Sequence, residues 1–321
     1  MKAYLLEKYS DMKNAYTANR LKKEAEKRGI DFEIVGERDI EIHDGAFYMV
    51  GGNPALQILY WGQLQKADFC LLRSKEEIIL KQIAGLAERF INPLDKYIRF
   101  LDKGEEIKAL QDSSVPMPEL IMPFSIEDKI TEYKKELGNF PGCFNEGESY
   151  FIDDMIEEIY SFVKGRLGSP FVMKGLKSSM GKEIFLIKDF DAFKCIIEKL
   201  PLNKPFLYEE FVEGGNRDVR LFILNGEIIA AMERENRNDF RSNVALGSSV
   251  RKVEVTDEMR SIANIVYKRT GLDVIGLDLL HGKDGLLFCE LNVMPGLQGI
   301  EEASGKNIAG EIIDFAIKCQ K

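Results

Sequence analysis

Alternating hydrophobic and polar positions predict a small parallel-sheet unit at the start of the chain. Residues 2–6 form a short apolar run, and residues 14–28 then carry alanine and leucine at helical spacing among charged side chains. Further apolar runs at 32–35 and 68–72 are predicted strands, with a predicted helix near 54–66 before the second of them. Strands that alternate with helices are typical of a parallel sheet, so the pattern predicts an α/β domain over about the first 90 residues.

The pattern changes after Asn92-Pro93, which marks a predicted domain boundary. Residues 94–112 are helical in pattern, and residues 125–169 are polar with a predicted loop around 138–149. Short β-rich runs then follow from residue 170 onward, and Asn225-Gly226 is a strong hairpin signal between two of them. Hairpins with helices packed on one side predict an antiparallel α+β fold. The predicted strands are 171–174, 183–187, 206–211, 219–224, 227–232, 274–280 and 286–291, and the predicted helices are 189–199, 256–271 and 308–319.

The composition excludes several classes of function. The 321 residues include 44 Lys plus Arg against 53 Asp plus Glu, and a net charge of −9 argues against nucleic acid as a partner. Two histidines and five widely spaced cysteines without a CxxC pair predict neither a zinc site nor a disulfide framework. No window approaches the roughly 18 apolar residues of a membrane span, and the N-terminus lacks a secretory pattern. We therefore expect a cytoplasmic protein without a membrane partner, in which carboxylates, lysines and arginines carry the chemistry.

The strongest candidate site consists of Asp278, Glu290 and Asn292. Asp278 lies in the apolar run VIGLDLL, and the other two lie in LLFCELNVMPG. Because side chains alternate along a strand, Glu290 and Asn292 share one face, and Asp278 joins them if the two strands are neighbours. Two carboxylates and an amide oxygen suit Mg²⁺. The alternative interpretation is that all three are solvated polar positions on half-exposed strands.

Phosphate-binding groups are predicted in two other segments. Lys174 ends an apolar strand, and the polar loop 175–182 after it can offer backbone N–H groups to anionic oxygens. This loop is not a Walker A sequence, because Glu183 stands where Ser or Thr is required. Arg241 and Asn243, in a later polar stretch, are also available to a phosphate. A plain solvated turn is the alternative for either segment.

Acidic groups at strand ends provide a candidate nucleoside site. Glu209, Glu210 and Phe211 end one predicted strand, and an acidic pair followed by a hydrophobic residue at a strand end can bind an adenine amino group or a ribose. Asp218 and Arg220 begin the next strand and share one face. The alternative is ordinary ion pairing at the surface.

Taken in order, these segments resemble the ATP-grasp ligases and, within them, the RimK-like branch of glutamate ligases. The resemblance is densest over residues 170–315 and is carried by RDVRLFILNGEIIAAMERENRNDFRSN, LDVIGLDLL and CELNVMPGLQGIEEASGKNIAG. It implies an ATP-grasp fold that combines α/β and α+β parts. A pre-ATP-grasp parallel-sheet domain would span residues 1–92, and two α+β subdomains, 93–204 and 205–321, would close on ATP.

The resemblance also implies residue roles, position by position. Lys103 resembles the earlier ATP lysine of the family, with Lys96 as a competing position. Asp278, Glu290 and Asn292 match the ligands of Mg²⁺ or Mn²⁺, and Arg220 and Arg241 would stabilise charge that develops during catalysis. The implied nucleotide contacts are Lys103, Lys174, Glu210, Phe211, Asp218, Arg241, Ser242 and Asn243.

The implied activity is ATP-dependent ligation of a carboxylate to an amine through an acylphosphate. Glutamate is the favoured amino acid, a peptide, protein or small molecule is the expected acceptor, and homo-oligomers are expected from the family. Three alternatives stay open: ligation of another amino acid or small amine, phosphotransfer to a stable product, and a non-catalytic nucleotide-binding regulatory module.

Departures from the family concern the lid and the substrate. Glu183 replaces a second loop glycine, ALGSSV replaces a basic glycine-rich stretch, and residues 119–169 are longer than the usual connection. The sequence therefore predicts the nucleotide site better than the acceptor site.

Overall fold

The computed structural model describes residues 1–8, 15–53, 58–137, 148–178, 182–214, 216–236 and 249–320. The strands are β1 (Lys2–Glu7), β2 (Asp31–Gly36), β3 (Ile40–His43), β4 (Ala46–Asn53), β5 (Ile58–Gln63), β6 (Ala67–Leu72), β7 (Ala87–Ile91), β8 (Leu120–Phe124), β9 (Phe171–Gly175), β10 (Ile184–Ile187), β11 (Phe206–Glu210), β12 (Arg217–Leu224), β13 (Glu227–Glu235), β14 (Ser249–Lys252), β15 (Val274–His281) and β16 (Leu286–Asn292). The helices are α1 (Tyr16–Glu26), α2 (Glu77–Gln82), α3 (Leu94–Arg99), α4 (Lys103–Leu110), α5 (Ile126–Leu137), α6 (Glu148–Leu167), α7 (Phe190–Ile197), α8 (Asp257–Thr270), α9 (Gln298–Ser304) and α10 (Ile308–Lys318).

The N-terminal sheet is parallel, as the alternation of strands and helices predicts. Its strands lie in the order β2-β1-β6-β7, and each neighbouring pair runs parallel. The apolar side chains of β1 are fully buried between α1 on one face and the rest of the molecule on the other. The α/β part of the fold is therefore confirmed.

The helix predicted near 54–66 is wrong. Residues 58–63 form β5, which pairs antiparallel with β4, and β4 pairs with β3 in a separate three-stranded sheet. The run Ile-Leu-Tyr-Trp is rich in residues that favour strands, and pairing with β4 decides its conformation over the weak helical spacing.

The helical pattern at 94–112 covers two helices rather than one. The chain turns at 100–102, and Asp102 caps α4 by accepting a hydrogen bond from the Gly104 N–H at 2.8 Å. The polar region 125–169, for which the pattern gives no helix, contains α5 and α6 in its described parts. Strands β7 and β14 and helix α9 are further elements that the pattern does not predict.

Two antiparallel sheets follow. The central sheet has the order β10-β9-β11-β8, and the C-terminal sheet has the order β14-β13-β12-β15-β16. Because β11 pairs with β9 and β8, residues 206–210 belong to the central sheet. The division into 1–92, 93–204 and 205–321 stays a prediction, and this pairing leads us to propose residues 211–216 as the second junction.

The Asn225-Gly226 turn joins β12 and β13 as predicted. Asn225 and Gly226 have φ values of 49° and 83°, the left-handed conformations that a two-residue hairpin of this kind requires. A β-carbon on Gly226 would lie 2.8 Å from the Tyr267 ring, so the turn is also tightly packed. Further along the hairpin, a bulge between Phe222 and Ile223 shifts the pairing by one residue.

Asn92, at the predicted boundary, fastens the N-terminal sheet to the C-terminal one. Its side-chain amide donates to the carbonyls of Val274 and Val293 at 2.9 and 3.0 Å and accepts from the Val274 N–H at 2.6 Å. The residue is 1% exposed. The boundary is therefore a fixed joint at the start of β15 and the end of β16.

Candidate active site

A cleft separates the central sheet from the C-terminal sheet. The cleft opens to solvent, and charged side chains make up about half of its lining. Six residues predicted from the sequence line it together: Lys174, Glu210, Phe211, Asp218, Asp278 and Glu290. The other lining residues are Val172, Ile184, Glu209, Val212, Arg234, Leu280 and Cys289.

Asp278, Glu290 and Asn292 lie on one face of two paired strands. β15 and β16 are antiparallel neighbours, Asp278 is directly opposite Glu290, and Asn292 follows two residues later on the same face. The Glu290 side chain is 31% exposed, so it reaches the cleft. The Asn292 amide oxygen accepts from the Met294 N–H at 3.0 Å. The juxtaposition that strand alternation required is present in the structure, and the role of these residues as metal ligands stays a prediction.

The oxygen set fits Mg²⁺ better than zinc. Within the described residues, no three His, Cys, Asp or Glu side chains form a metal-binding group, and a cation held by Asp278 and Glu290 would need the Asn292 amide as its third protein oxygen. Two carboxylates and one amide oxygen are few, hard ligands, which suits an ion that also binds phosphates and water.

Two arginines hold Asp278 on the floor of the cleft. Arg220 donates to both carboxylate oxygens at 2.6 Å, and Arg234 donates to Oδ2 at 2.8 Å. Arg234 also binds Asp218 through two hydrogen bonds of 2.5 and 2.7 Å. Such planar, bidentate pairs fix the orientation of a carboxylate. The four side chains form one continuous network in which Asp278 keeps a single orientation.

Burial and charge act in opposite directions on the two aspartates. Burial raises the pKa of Asp218 to about 6, although the Arg234 guanidinium opposes this rise. Burial also acts to raise the pKa of Asp278, but Arg220 and Arg234 together outweigh it and hold that pKa below its ordinary value. Asp278 is therefore the carboxylate that stays charged, as a cation ligand must.

Lys103 and Glu106 extend from α4 toward the edge of the same site. Lys103 donates to Glu290 Oε1 at 3.0 Å and to the Ser178 carbonyl at 3.2 Å. Burial alone would lower the pKa of Lys103, but Glu290 and Glu106 outweigh it and raise the pKa. Lys96, the competing position, donates instead to the Gly271 carbonyl. Of the two lysines, Lys103 is thus the one placed at the cleft.

Lys174 is buried at the end of β9 and pairs with Glu209 on the neighbouring strand β11. Its Nζ lies 2.5 Å from Glu209 Oε2 and 4.0 Å from Cys289 Sγ. Burial acts to lower the pKa of Lys174, but the interactions with Cys289 and Glu209 outweigh it and raise the pKa. A lysine that stays charged inside the cleft is suited to a phosphate.

Two site residues, Arg234 and Glu106, have no role predicted from the sequence, whereas Glu209, predicted with Glu210 as an acidic pair for the nucleoside, is paired with Lys174. A signal for Glu106 exists in the pattern: the buried face of α4 carries Lys103, Glu106, Ile107 and Leu110, so two charged residues occupy an otherwise apolar stripe. The alternation of side chains along β13 does not predict that Arg234 faces the cleft, because a bulge in the β12–β13 hairpin shifts the pairing by one residue. Arg241, Ser242 and Asn243 lie outside the described residues.

Comparisons with known proteins agree with this architecture. A family model described as a RimK-like ATP-grasp domain matches residues 149–316, just over half of the chain. A protein of Trichodesmium erythraeum named probable alpha-L-glutamate ligase is 39% identical over 165 residues, which cover 50% of this chain and 55% of that protein. One of Halorhodospira halophila with the same name is 29% identical over 316 residues, covering 95% of this chain and 92% of that protein.

A solved structure shows the same fold over nearly the whole length. It is the ATP-grasp ligase PsnB complexed with a phosphomimetic variant of its minimal precursor, Mg and ADP. The TM-score is 0.63 at 16% identity, and the match covers 99% of this chain and 98% of that chain. In addition, none of the helices in the described residues has the length and apolar character needed to cross a membrane.

Proposed function

Because the chain belongs to the RimK-like ATP-grasp family, whose members are ATP-dependent ligases, we propose that it joins a carboxylate to an amine at the expense of ATP. The observation that carries this proposal is the cleft lined by Lys174, Asp278 and Glu290, at whose edge the buried Lys103 donates to Glu290. Carboxylates for a cation and lysines for phosphates occur together there, which is what a nucleotide triphosphate with its metal needs.

The proposed chemistry has two steps. A substrate carboxylate oxygen attacks the γ-phosphorus of ATP, which forms an acylphosphate and releases ADP. The amine nitrogen then attacks the acyl carbon, loses a proton, and expels inorganic phosphate as the amide bond forms. Both steps develop negative charge on oxygens, so cationic groups fixed in a cleft with little water lower their barriers. No histidine is needed for either step.

The residues of the cleft take distinct parts in this scheme. Glu210 and Phe211, at the end of β11, are proposed to hold the adenosine, with Asp218 as a further nucleotide contact. Lys174 and Lys103 are proposed to bind the phosphates. Phosphate oxygens bound by these two lysines would keep each buried ammonium group paired with negative charge.

A divalent cation fits beside these lysines. Glu290, Asp278 and Asn292 would hold Mg²⁺, or Mn²⁺ in its place, and the ion would neutralise phosphate charge during transfer. Arg220 keeps Asp278 oriented and is proposed, with Arg241, to stabilise the charge that develops. The arginine network on Asp278 is the kind of support that fixes a metal-binding carboxylate.

For the substrates, we propose glutamate as the added amino acid and a peptide, protein or small molecule as the acceptor. Two relatives are named probable alpha-L-glutamate ligase, and PsnB was crystallised with a precursor peptide. The departures at Glu183 and ALGSSV lie at the predicted lid, where the acceptor would be selected. Homo-oligomers and a cytoplasmic location stay predictions.

The test is an ADP-release screen. Purified protein is incubated with ATP, Mg²⁺, glutamate or another amino acid, and a panel of carboxylates and short peptides, and products are identified by mass spectrometry. We expect ADP and inorganic phosphate in equal amounts, with a product heavier by one amino-acid residue. A stable phosphorylated product would instead identify a phosphotransferase, and nucleotide binding without any turnover would favour a regulatory module.

A further inference from the structure

The outer edge of β16 is closed by the segment that delivers Lys103. β16 ends the C-terminal sheet in the part of the chain that the structure describes, so its outward N–H groups need partners other than a strand. The Phe288 N–H donates to the Pro116 carbonyl at 2.7 Å, and the Leu291 N–H donates to Glu106 Oε2 at 2.9 Å. Residues 103–116 thus hold β16 from the side opposite β15.

Glu106 is an unusual residue to find in this place. It lies on the buried face of α4 and is 3% exposed. A carboxylate in such a position costs stability unless it is hydrogen-bonded, and an apolar residue would complete the stripe without that cost. A charged residue that breaks the local pattern indicates a functional or specificity requirement.

The hydrogen bond between the Leu291 N–H and Glu106 lies between Glu290 and Asn292, two of the three predicted cation ligands. Leu291 separates Glu290 from Asn292, so the orientation of its peptide unit sets the direction of both neighbours. The pairing of β15 with β16 is irregular between Asp278 and Leu279, next to this point. A bulge bends the strand and weakens the definition of register, so an external bond at Leu291 has a specific task here.

We propose that Glu106 is a positioning residue for the cation site, acting through the Leu291 N–H to hold Glu290 and Asn292 on the strand face that they share with Asp278. The proposal rests on the proposed function, in which those two residues hold Mg²⁺. Glu106 itself is not among the residues that line the cleft, so it acts through the backbone of β16.

Two substitutions of Glu106 separate the effect of its side-chain length from the effect of its charge. Glu106→Asp keeps a carboxylate but withdraws it by one methylene, so it no longer reaches Leu291. Glu106→Gln keeps the length and an oxygen that can accept the same bond, but removes the charge. Glu105→Asp and Glu105→Gln are matched controls, because Glu105 is on the same helix and pairs with Arg99 and Lys108 at the surface.

The first readout is the affinity of the whole protein for ADP, measured by calorimetry with and without Mg²⁺. The ratio of the two dissociation constants reports how well the cation site is formed. We expect this ratio to fall about tenfold in Glu106→Asp, the scale of one lost buried hydrogen bond, and to stay within about threefold of wild type in Glu106→Gln and both controls. An unchanged ratio in folded Glu106→Asp overturns the proposal, as does an equal loss in Glu106→Gln.

The second readout is hydrogen exchange of the ligand-free protein across residues 286–292. The Leu291 amide should exchange faster in Glu106→Asp than in wild type or Glu106→Gln. Rapid exchange of this amide already in wild type overturns the proposal, and this holds even if Glu106→Asp does not fold. If ADP affinity is independent of Mg²⁺ in wild type, the proposed cation site fails and the role of Glu106 fails with it. If Mg²⁺ strengthens ADP binding in wild type and the Glu106 variants show the same ratio of dissociation constants, the cation site stands and only the role of Glu106 is contradicted.

Discussion

Arg234 lies directly opposite Asp218 across the β12–β13 hairpin and binds its carboxylate with two hydrogen bonds. The Arg234 guanidinium also donates to Asp278. Arg220, the second arginine that donates to Asp278, lies directly opposite Asp278 where β12 pairs with β15. Arg234 is 2% exposed, which makes it one of the largest fully buried side chains of the described residues. The floor of the cleft therefore depends on a single buried cation shared by two carboxylates.

Replacing Arg234 by Met should strongly destabilise the protein. The substitution removes both hydrogen bonds that Arg234 donates to the buried Asp218 carboxylate, and a buried ion pair that loses one partner typically costs about 3–5 kcal/mol. We expect a loss of this order in the free energy of unfolding, measured by urea denaturation, and a smaller loss in Arg234→Lys, which keeps the charge.

Arg251→Met is the matched control for this measurement. Arg251 pairs with Glu233 from the edge strand β14, and its side chain is 66% exposed. Glu233 is buried but keeps Arg217 and His281 as further partners, so the loss of stability in this variant should be smaller than in Arg234→Met. If Arg234→Met were no less stable than Arg251→Met, the structural importance of the network would be contradicted.

The position of Arg234 could not be read from the turn alone. A regular two-residue hairpin pairs Leu224 with Glu227 and, continued without a break, would pair Asp218 with Glu233. The bulge between Phe222 and Ile223 moves the register by one residue, which exchanges the two faces of β13. Arg234 then enters the cleft face in place of Glu233. Bulges leave little trace in one sequence, so this part of the site had to come from the structure.

Other parts of the site follow from periodicity. Glu290 and Asn292 share a face because they are two residues apart on a strand, and the hairpin turn is fixed by the conformational freedom of Asn225 and Gly226. The helix expected near 54–66 failed because short apolar runs carry no decisive period, and pairing with β4 supplied the missing information. The sequence thus predicts a feature when the spacing of nearby residues determines it. It fails when pairing with a strand from elsewhere in the chain determines the conformation.

Glu106 should give the stability of the protein a distinct dependence on pH. Burial raises the pKa of Glu106 from an ordinary 4.5 to about 8, against the opposing effect of Lys103. The folded protein thus holds this proton more tightly than the unfolded chain does. The resulting stabilisation is complete below the ordinary pKa and is lost as the pH rises from about 4.5 toward about 8.

The comparison of wild type with Glu106→Gln isolates this contribution. We expect the free energy of unfolding of wild type to fall relative to the variant across that window, measured by urea denaturation at about pH 5, 6.5 and 8.5. Glu105→Gln should not reproduce the fall, because hydrogen bonding from Arg99 lowers the pKa of the Glu105 carboxyl. Parallel pH curves for wild type and Glu106→Gln would contradict a buried titrating group at this position.

Lys174 should separate stability from nucleotide binding. Lys174→Met removes the cation that faces Glu209, and both side chains are buried, so we expect a loss of about 3–5 kcal/mol in the free energy of unfolding. Adding Glu209→Gln removes the uncompensated charge and should restore most of that stability. The affinity for a non-hydrolysable ATP analogue, measured by calorimetry, should stay low in the double variant. If the double variant recovered both its stability and its affinity for the ATP analogue, Lys174 would be needed for the fold and not for binding the phosphates.

Glu290 offers the most direct test of the proposed chemistry. Its side chain is partly exposed, and Lys103, which it binds, still donates to the Ser178 carbonyl when Glu290 is removed. Glu290→Ala should therefore abolish Mg²⁺-dependent ATP turnover while the unfolding midpoint changes little. Glu227→Ala, at an exposed position of β13 in the same sheet, should leave both unchanged. ADP binding without Mg²⁺ should also survive in Glu290→Ala, because the proposed adenosine contacts on β11 are intact. ATP turnover at the wild-type rate in Glu290→Ala would contradict the assignment of the cation site. Among the described residues that line the cleft, no other carboxylate on β16 lies opposite Asp278 and could replace Glu290 as a ligand.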